Sequence, residues 1–314
     1  MHNLNKNNFF FIVGRPRSGT TLLLTLLDAN PHVLIPVEWP VIMKLLPKYK
    51  NISHFSPEML KEFYQDVENT SFHHHYSYYD MNFDFDTIKK EILSSKPETS
   101  FPELISCIYT HYKSIFEKQE IKALGDKNPL ASKQVNQLLK YFPDAKFIHL
   151  VRDYRDHTVS MLKAGFGSGS IPLIVYRWKK YQLILEKAYL SQPHRFFRLR
   201  YEDLVNEPEV YLKQICEFLN LPYYPEMLNY HNANLNELYP KNLSEQYQTS
   251  LSQPVNTGRQ GIWKNKFSKK QIRIMDYMAG KTAEKWNYKR QYNSFSLYGL
   301  FFKVFFGLRG FLKR

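Results

Sequence analysis

The sequence contains little cysteine and no long apolar run. Cys107 and Cys216 are the only cysteines in 314 residues, and neither belongs to a C-x-x-C pair. We therefore expect two buried thiols in a reducing compartment. The first residues lack a basic region followed by a long apolar stretch, and no uninterrupted run is long enough to span a bilayer. These absences predict a cytoplasmic protein without a spanning segment.

Acidic residues are also scarce. The chain carries 43 Lys and Arg against 29 Asp and Glu, a formal net charge of +14. Such an excess suits polyanionic nucleotides, anionic glycans or acidic membrane surfaces as partners. A chain of this length can form one extended α/β domain with a large core.

Residues 9–21 (FFFIVGRPRSGTT) predict a buried strand, a tight turn and the start of a helix. Backbone N–H groups at a helix start point towards an anion, and the helix dipole favours negative charge there. The loop fits the triphosphate motif G-x-x-x-x-G-K-[ST], except that Thr20 replaces the lysine and the cation is Arg17. No acidic strand end is evident to hold magnesium. ATP or GTP hydrolysis is therefore disfavoured.

Residues 16–21 (P-R-S-G-T-T) resemble the loop P-[KR]-S-G-T-[ST] of sulfotransferases that use 3′-phosphoadenosine-5′-phosphosulfate (PAPS). The resemblance runs from about residue 9 to about residue 288 and is nearest to the tyrosylprotein type. It implies an α/β fold, a three-layer P-loop-like parallel sheet with flanking helices, in which this loop holds the 5′-phosphosulfate. Taken alone, the loop is also compatible with another kind of phosphate site.

Residues 146–161 predict a strand, a turn and a helix, and they resemble the family's 3′-phosphate motif. Arg152 would bind the phosphate through its planar fork of donors and Ser160 through its hydroxyl. The alternative is that Arg152 forms a structural ion pair with Asp153 or Asp156.

Two further segments resemble parts of the donor site. Tyr201 opens a Y-E-D-L element after a predicted strand, and the resemblance gives it contact with the adenosine. Residues 258–264 (GRQGIWK) resemble the loop that closes over the 3′-phosphate, but Asn256 and Thr257 occupy the positions of its two cations. Arg259 is expected to substitute for them.

Two segments resemble the catalytic part of the tyrosylprotein-type enzymes. Lys127, in G-D-K-N-P, would lie beside the sulfonate; it could equally be a surface turn residue. Residues 27–31 (L-D-A-N-P) lead without a gap to Glu38, the position of the catalytic glutamate. Glu38 lies in an apolar run, which is expected to raise its pKa towards a value useful to a base. Its alternative role is a charge partner for Arg15, Arg17 or Lys127.

The resemblance thus assigns catalytic roles to Glu38, Arg17 and Lys127. It assigns donor binding to Arg15, Pro16, Arg17, Ser18, Gly19, Thr20, Thr21, Arg152, Ser160, Tyr201, Arg259 and Gly261. No metal and no nucleic-acid partner is predicted.

We predict one domain over residues 1–290, with strands near 9–13, 121–125, 146–151 and 196–200 joined by crossover helices into a parallel sheet. Residues 40–120 form an aromatic-rich helical cap insertion for the acceptor, with helices at 57–67 and 87–94. His73, His74 and His75 within it are expected on the surface or lining the acceptor, since adjacent side chains do not share one face. Residues 165–170 are expected to form a mobile loop.

Residues 291–314 predict a basic, aromatic amphipathic helix. Its small and basic residues fall on one narrow face, with leucines and phenylalanines opposite, and no acidic residue follows Glu284. This pattern is typical of an interfacial helix and favours peripheral attachment to the anionic inner face of a membrane. The alternative is packing on the enzyme or on a second subunit.

The sequence therefore predicts transfer of the PAPS sulfonate to a hydroxyl of a glycan, lipid or sterol-like acceptor. A peptide tyrosine is the alternative acceptor. Two rivals of other classes are a P-loop kinase and a non-catalytic protein that binds anions or membranes.

Overall fold

The computed structural model describes residues 9–70, 82–165, 169–234 and 251–311. Five strands in these ranges form one sheet in the order β2-β3-β1-β4-β5, with every neighbouring pair parallel. The strands are β1 (Phe9–Val13), β2 (Val33–Leu34), β3 (Ala123–Asp126), β4 (Lys146–Val151) and β5 (Phe196–Arg200). The predicted parallel α/β sheet is confirmed, and only the two-residue β2 had no separate signal in the sequence.

Helices connect the strands and cover the sheet. Those up to the last strand are α1 (Thr20–Asp28), α2 (Val41–Tyr49), α3 (Pro57–Glu68), α4 (Phe85–Leu93), α5 (Phe101–Thr110), α6 (Val135–Tyr141), α7 (Tyr154–Lys163) and α8 (Ile171–Ser191). Those after it are α9 (Tyr201–Asn206), α10 (Pro208–Leu219), α11 (Lys269–Ala279), α12 (Lys281–Glu284) and α13 (Leu297–Phe311). Short 3-10 helices occupy Pro129–Lys133, Pro193–Arg195, Pro225–Asn232 and Ile262–Asn265.

Alternate residues of β1 divide the core into two layers, as expected for a strand buried on both faces. Phe10 and Ile12 pack with the leucines of α1 and with apolar residues of α9 and α10. Phe9 and Phe11 pack on the opposite face, where the ring of Phe11 stacks on that of Phe147 in the neighbouring strand with centroids 5.3 Å apart.

The aromatic-rich insertion belongs to this second layer. Apolar side chains from α2 to α5 join Phe9 and Phe11 in one continuous buried cluster, and Tyr109 of α5 meets Phe9 edge-on at 5.3 Å. Most of the insertion therefore contributes to this core layer, and its role as the acceptor cap stays a prediction. Its predicted helices correspond to α3 and α4. His73–His75 and residues 166–168 of the expected mobile loop lie outside the described residues.

The two cysteines differ in exposure. Cys216 is buried and Cys107 only partly buried, so the expectation of two buried thiols is confirmed for Cys216 alone. Burial raises the pKa of the Cys216 thiol to about 11 and, with the neighbouring Glu91 carboxylate, that of Cys107 to about 12.

The described helices include none whose length and apolarity would let it cross a membrane.

His149 of β4 is a buried titratable group in the core. Its Nε2 lies 3.0 Å from Oε1 of Gln182, and its ring meets Trp286 edge-on at 5.0 Å. Burial, assisted by the nearby Arg198 cation, lowers the pKa of His149 to about 3. The imidazole is therefore neutral in the folded protein at any pH near neutrality.

We predict that His149 makes the folded state sensitive to mild acid. The unfolded imidazole binds a proton below pH about 6.5 and the folded one only near pH 3, so stability present at neutral pH is lost as the pH falls below 6.5. At pH 5 the loss attributable to this group is about 2 kcal/mol. Urea unfolding of the parent and of His149→Gln at pH 7 and pH 5 measures it. A parent and variant that lose equal stability between these pH values would refute the prediction.

Candidate active site

The loop between β1 and α1 is shaped by backbone bonds and by two residues in the left-handed region. Ser132 fixes its start, because the Gly14 N–H donates to Ser132 Oγ at 2.9 Å and that hydroxyl donates back to the Gly14 carbonyl at 2.9 Å. Arg17 has φ 71° and Gly19 φ 94°. A non-glycine residue such as Arg17 adopts this region uncommonly and at a cost in backbone energy.

The helix that follows presents free amide groups to the loop. α1 begins at Thr20, and no side chain caps its N-terminus. The first N–H groups of a helix have no partners within it and attract anions. The Ser18 amide, which precedes the helix, donates to the Arg15 carbonyl at 3.2 Å within the turn.

Tyr201, the first residue of α9, packs directly on this loop. A Cβ on Gly19 would lie 2.4 Å from Cδ2 of the Tyr201 ring, so only glycine allows the ring to approach this closely. The guanidinium of Arg152 lies over the same ring, 4.7 Å from its centroid. Tyr201 therefore joins the loop to the predicted 3′-phosphate motif.

Arg152 and Ser160 both reach the loop at Arg17. Arg152 donates to the carbonyl oxygens of Arg17 at 3.4 Å and of Arg259 at 2.7 Å. The Nε of Arg17 donates to Ser160 Oγ at 3.2 Å. The two predicted phosphate motifs, more than a hundred residues apart in the chain, thus meet in one place.

The neighbouring aspartates have other partners than Arg152. Asp153 pairs with Arg155 at 2.7 Å. Asp156 accepts from the amides of Gly261 at 2.6 Å and Trp263 at 3.0 Å, and burial raises the pKa of its carboxyl. In the described residues, Arg152 therefore forms no ion pair with Asp153 or Asp156.

Lys127 is buried and lies at the end of the loop. Its Nζ donates to Thr21 Oγ1 at 3.1 Å and forms an ion pair with Glu38 Oε1. Lys127 is thus not a surface turn residue. Lys127 is one of the three cations named for the alternative role of Glu38 as a charge partner. The ion pair connects the predicted base, Glu38, to the predicted sulfonate-binding lysine.

Two residues assigned to donor binding form hydrogen bonds with other parts of the protein. The guanidinium of Arg15 donates to the Ile174 carbonyl of α8 at 2.9 Å and lies 5.7 Å from the Tyr181 ring centroid. The amide of Gly261 is taken by Asp156. Both residues therefore support the loops around the site through these contacts, and their assignment to donor binding stays a prediction.

Buried donors remain at the meeting point of the motifs. Ser18 Oγ and Arg152 Nε are buried, and neither has a hydrogen-bond partner among the described residues. A buried donor without a partner costs free energy, so an acceptor is expected there when the protein works. Oxygen atoms of an anionic ligand would satisfy both.

Two contacts around the site had no signal of their own in the sequence. Ser132 clamps Gly14, and His157 lies with Nε2 3.0 Å from the Pro16 carbonyl. Burial and the three surrounding arginines lower the pKa of His157 well below its usual value, so it holds the loop as a neutral group. Spacing alone cannot identify such contacts because each joins segments distant in the chain.

Asp126 corrects the expectation that no strand ends in an acidic residue that could hold magnesium. It ends β3 directly before Lys127, and burial raises the pKa of its carboxyl to about 7. Its Oδ2 accepts from the Tyr109 hydroxyl at 2.7 Å, on the side of the sheet that the insertion covers. The carboxyl is thus held inside the second core layer.

One group of three potential metal ligands occurs in the described ranges: Glu91, Cys107 and His111, whose ligand atoms lie within 4.8 Å of one another. It belongs to α4 and the end of α5 and includes none of the residues assigned to the site.

A sequence model of the sulfotransferase family matches residues 10–226. The chain is 28% identical over 263 residues to protein-tyrosine sulfotransferase 1 of Danio rerio, covering 82% of this chain and 65% of that protein. It is 25% identical over 260 residues to a Drosophila melanogaster protein-tyrosine sulfotransferase, covering 81% and 46%. An omega-hydroxy-beta-dihydromenaquinone-9 sulfotransferase of Mycobacterium bovis is 27% identical over 252 residues, covering 67% and 62%. The chain spans less than two thirds of each of these relatives.

The fold is also that of solved sulfotransferase domains. The domain from the Synechococcus PCC 7002 olefin synthase superposes with a TM-score of 0.60 at 21% identity, covering 90% of this chain and 96% of that one. The family match covers both phosphate motifs, Glu38 and Lys127. This chain belongs to the sulfotransferase family.

Proposed function

We propose that the protein transfers the sulfonate group of PAPS to an acceptor hydroxyl. The observation that carries the proposal is the junction of the two phosphate motifs, where Arg17 donates to Ser160 and Arg152 binds the Arg17 carbonyl. A donor with phosphates at both its 5′ and 3′ positions requires two such anion sites close together. Membership of the sulfotransferase family supports the same donor.

The start of α1 is the proposed site of the 5′-phosphosulfate. The uncapped amides of Thr20 and Thr21 and the unpartnered Ser18 hydroxyl would bind its oxygens. Arg152 and Ser160 would bind the 3′-phosphate, with Arg152 contributing charge-assisted bonds. Arg259, whose cation lies near Tyr201, would cover the nucleotide from the outside.

Glu38 and Lys127 are the proposed catalytic pair, together with Arg17. Glu38 would accept the proton of the acceptor hydroxyl while the acceptor oxygen forms a bond to sulfur and the bond from sulfur to the bridging phosphate oxygen breaks. The products are a sulfate ester and adenosine 3′,5′-bisphosphate. Lys127 and Arg17 would stabilise the negative charge that gathers on the transferring and leaving oxygens.

A peptide tyrosine is the acceptor that we now favour over a glycan, lipid or sterol. The relatives from Danio rerio and Drosophila melanogaster are protein-tyrosine sulfotransferases, and they match over most of this chain. The chemistry agrees, since a phenol with a pKa of about 10 gives up its proton to a carboxylate more readily than an aliphatic alcohol does. The Mycobacterium bovis relative supports a lipid hydroxyl as the competing choice.

Donor binding tests the proposal and separates it from its rivals. Adenosine 3′,5′-bisphosphate should raise the melting temperature, whereas ATP with magnesium should not. Stabilisation by ATP with magnesium alone would indicate a kinase, and stabilisation by neither ligand a non-catalytic protein.

The 3′-phosphate contacts give the second prediction. Arg152→Ala should weaken adenosine 3′,5′-bisphosphate binding about tenfold to a hundredfold, and Ser160→Ala about fivefold, because only Arg152 contributes charge-assisted bonds. Titration calorimetry measures both. Adenosine 5′-phosphate is the control ligand, since its affinity should change little in either variant. An equal loss for both ligands would show that Arg152 acts only by holding the loops together.

The catalytic base gives the third prediction. Glu38→Gln keeps the size and much of the hydrogen bonding of the side chain but removes its basicity. Turnover should fall by about a hundredfold to ten-thousandfold, while donor affinity and melting temperature change little.

Glu62→Gln is the matched control for Glu38→Gln. It also breaks a Lys–Glu pair, at 2.7 Å from Lys48, but on an exposed surface, so turnover should be unchanged. Loss of donor affinity in proportion to turnover in Glu38→Gln would instead make Glu38 a positioning partner of Lys127. His73, His74 and His75 would then be the next candidates for the base.

Acceptor choice gives the fourth prediction. With sulfur-labelled PAPS, a tyrosine-containing peptide should be labelled, and the same peptide with phenylalanine in place of tyrosine should not. A lipid with a terminal hydroxyl and an oligosaccharide serve as competing acceptors. Label on the lipid or sugar but not on the tyrosine peptide would reject a tyrosine acceptor while leaving sulfonate transfer in place.

A further inference from the structure

The last helix, α13, is attached to the protein through its small and aromatic residues. Gly299 lies against Tyr277 of α11, where a Cβ would come within 2.6 Å of the ring. Phe302 and Phe306 pack against the cluster formed by α8 and α11, with Phe306 5.4 Å from the Tyr176 ring. The helix is therefore held in one orientation and is not a loose tail.

This orientation leaves the apolar face of α13 exposed. Leu297 is 75% exposed, Phe301 60% and Val304 51%. In the described part of the chain eleven large apolar residues are exposed, and seven of them lie between residues 295 and 305. A helix that packs on a soluble domain normally buries its apolar face. Here the narrow face with Ser296 and Gly299 is buried in its place, so the apolar face is available for another contact.

Basic residues border this exposed face. Lys303 lies on α13 itself, and Lys270 of α11 lies 4.5 Å from the ring centroid of Tyr298. Lys179 and Lys180 lie on α8, close to Lys303. Burial and the charges of Lys303 and Lys180 lower the pKa of Lys179. Residues 285–314 contain no Asp or Glu. Four lysines thus lie on α13 or on the two helices that it contacts, and α13 itself carries no acidic residue.

The acidic residues that precede α13 most closely in the chain already have partners. Glu284 pairs with Arg290, and Asp276 is buried, where it accepts from the Tyr154 hydroxyl and from the Tyr292 amide. Neither neutralises the lysines around α13 through these contacts. The exposed surface therefore combines an apolar stripe with a positive border.

We propose that the exposed face of α13, formed by Leu297, Leu300, Phe301, Val304 and Phe305, docks in the interfacial region of an anionic phospholipid bilayer. The apolar side chains would enter the acyl boundary, and the lysines would contact lipid phosphates. The helix would lie in the plane of the membrane, since fifteen residues span only about 22 Å against a hydrocarbon core of about 30 Å.

Charge distinguishes a bilayer from a second copy of the chain. Two copies related by a two-fold axis would bring the same lysines against each other across the contact. An anionic lipid surface supplies the opposite charge over the whole face. The proposal does not depend on the enzymatic activity proposed above.

Vesicle flotation tests the proposal. The full chain should float with vesicles of phosphatidylcholine and phosphatidylglycerol, bind far less to phosphatidylcholine alone, and be released as salt is added. The double variant Phe301→Ser, Val304→Ser should lose about tenfold or more in binding. The control is Leu190→Ser, Val210→Ser, which removes two apolar side chains that are 66% and 47% exposed on α8 and α10 and should bind like the parent.

Two outcomes would overturn the proposal. The first is that the double variant Phe301→Ser, Val304→Ser binds vesicles as strongly as the parent does. The other is no vesicle binding by the parent together with self-association that this double variant abolishes, which would make the face a contact between copies. If the double variant does not fold, Phe301→Trp supplies a second measurement. Quenching of its fluorescence by brominated acyl chains, beyond that of the parent, supports docking, and its absence opposes it.

Discussion

The guanidinium of Arg152 holds the site together. It donates to the carbonyls of Arg17 and Arg259 and lies over Tyr201, so it contacts three segments that the sheet alone would not fix relative to one another. Carbonyl oxygens accept from its two terminal nitrogens, and because they are neutral they do not cancel its charge. Arg155 differs, because Asp153 neutralises it at 2.7 Å. Arg152 thus has no carboxylate in an ion pair among the described residues, which agrees with its proposed role in binding the 3′-phosphate.

Much of this arrangement could be predicted from short sequence patterns. β1 and β4 are compact, mostly apolar runs that end at turns, and the loop residues after β1 carry their own signature. The sequence could not show which arginine pairs with Asp153, since Arg152 and Arg155 are both near it in the chain. Helix geometry decides, because Asp153 caps α7 and accepts from the Arg155 amide. The sequence could not show that the insertion contributes to a core layer, because helices of a cap and of a core layer have the same apolar spacing, and only the sheet surface beneath them distinguishes the two.

The ion pair of Glu38 with Lys127 shows how one contact serves two roles. The sequence left Glu38 either as a base or as a charge partner, and the structure places its Oε1 on Lys127. A carboxylate has lone pairs on both oxygens, so pairing at Oε1 leaves Oε2 able to accept a proton. Lys127 also binds Thr21 at the start of α1. The proposed base, the proposed sulfonate-binding cation and the start of α1 are therefore connected through Lys127.

Helix α8 connects the phosphate loop to the C-terminal helix. Near its start, the Ile174 carbonyl accepts from Arg15 of the phosphate loop, and Tyr181 lies beside the same guanidinium. Tyr176, between these two positions, contacts Phe306 of α13. One rigid helix thus touches both the loop proposed to hold the donor and the helix proposed to lie on a membrane. If α13 docks, the orientation of the donor site relative to the bilayer is set by α8 and not by a flexible linker, so acceptors would approach from a fixed direction.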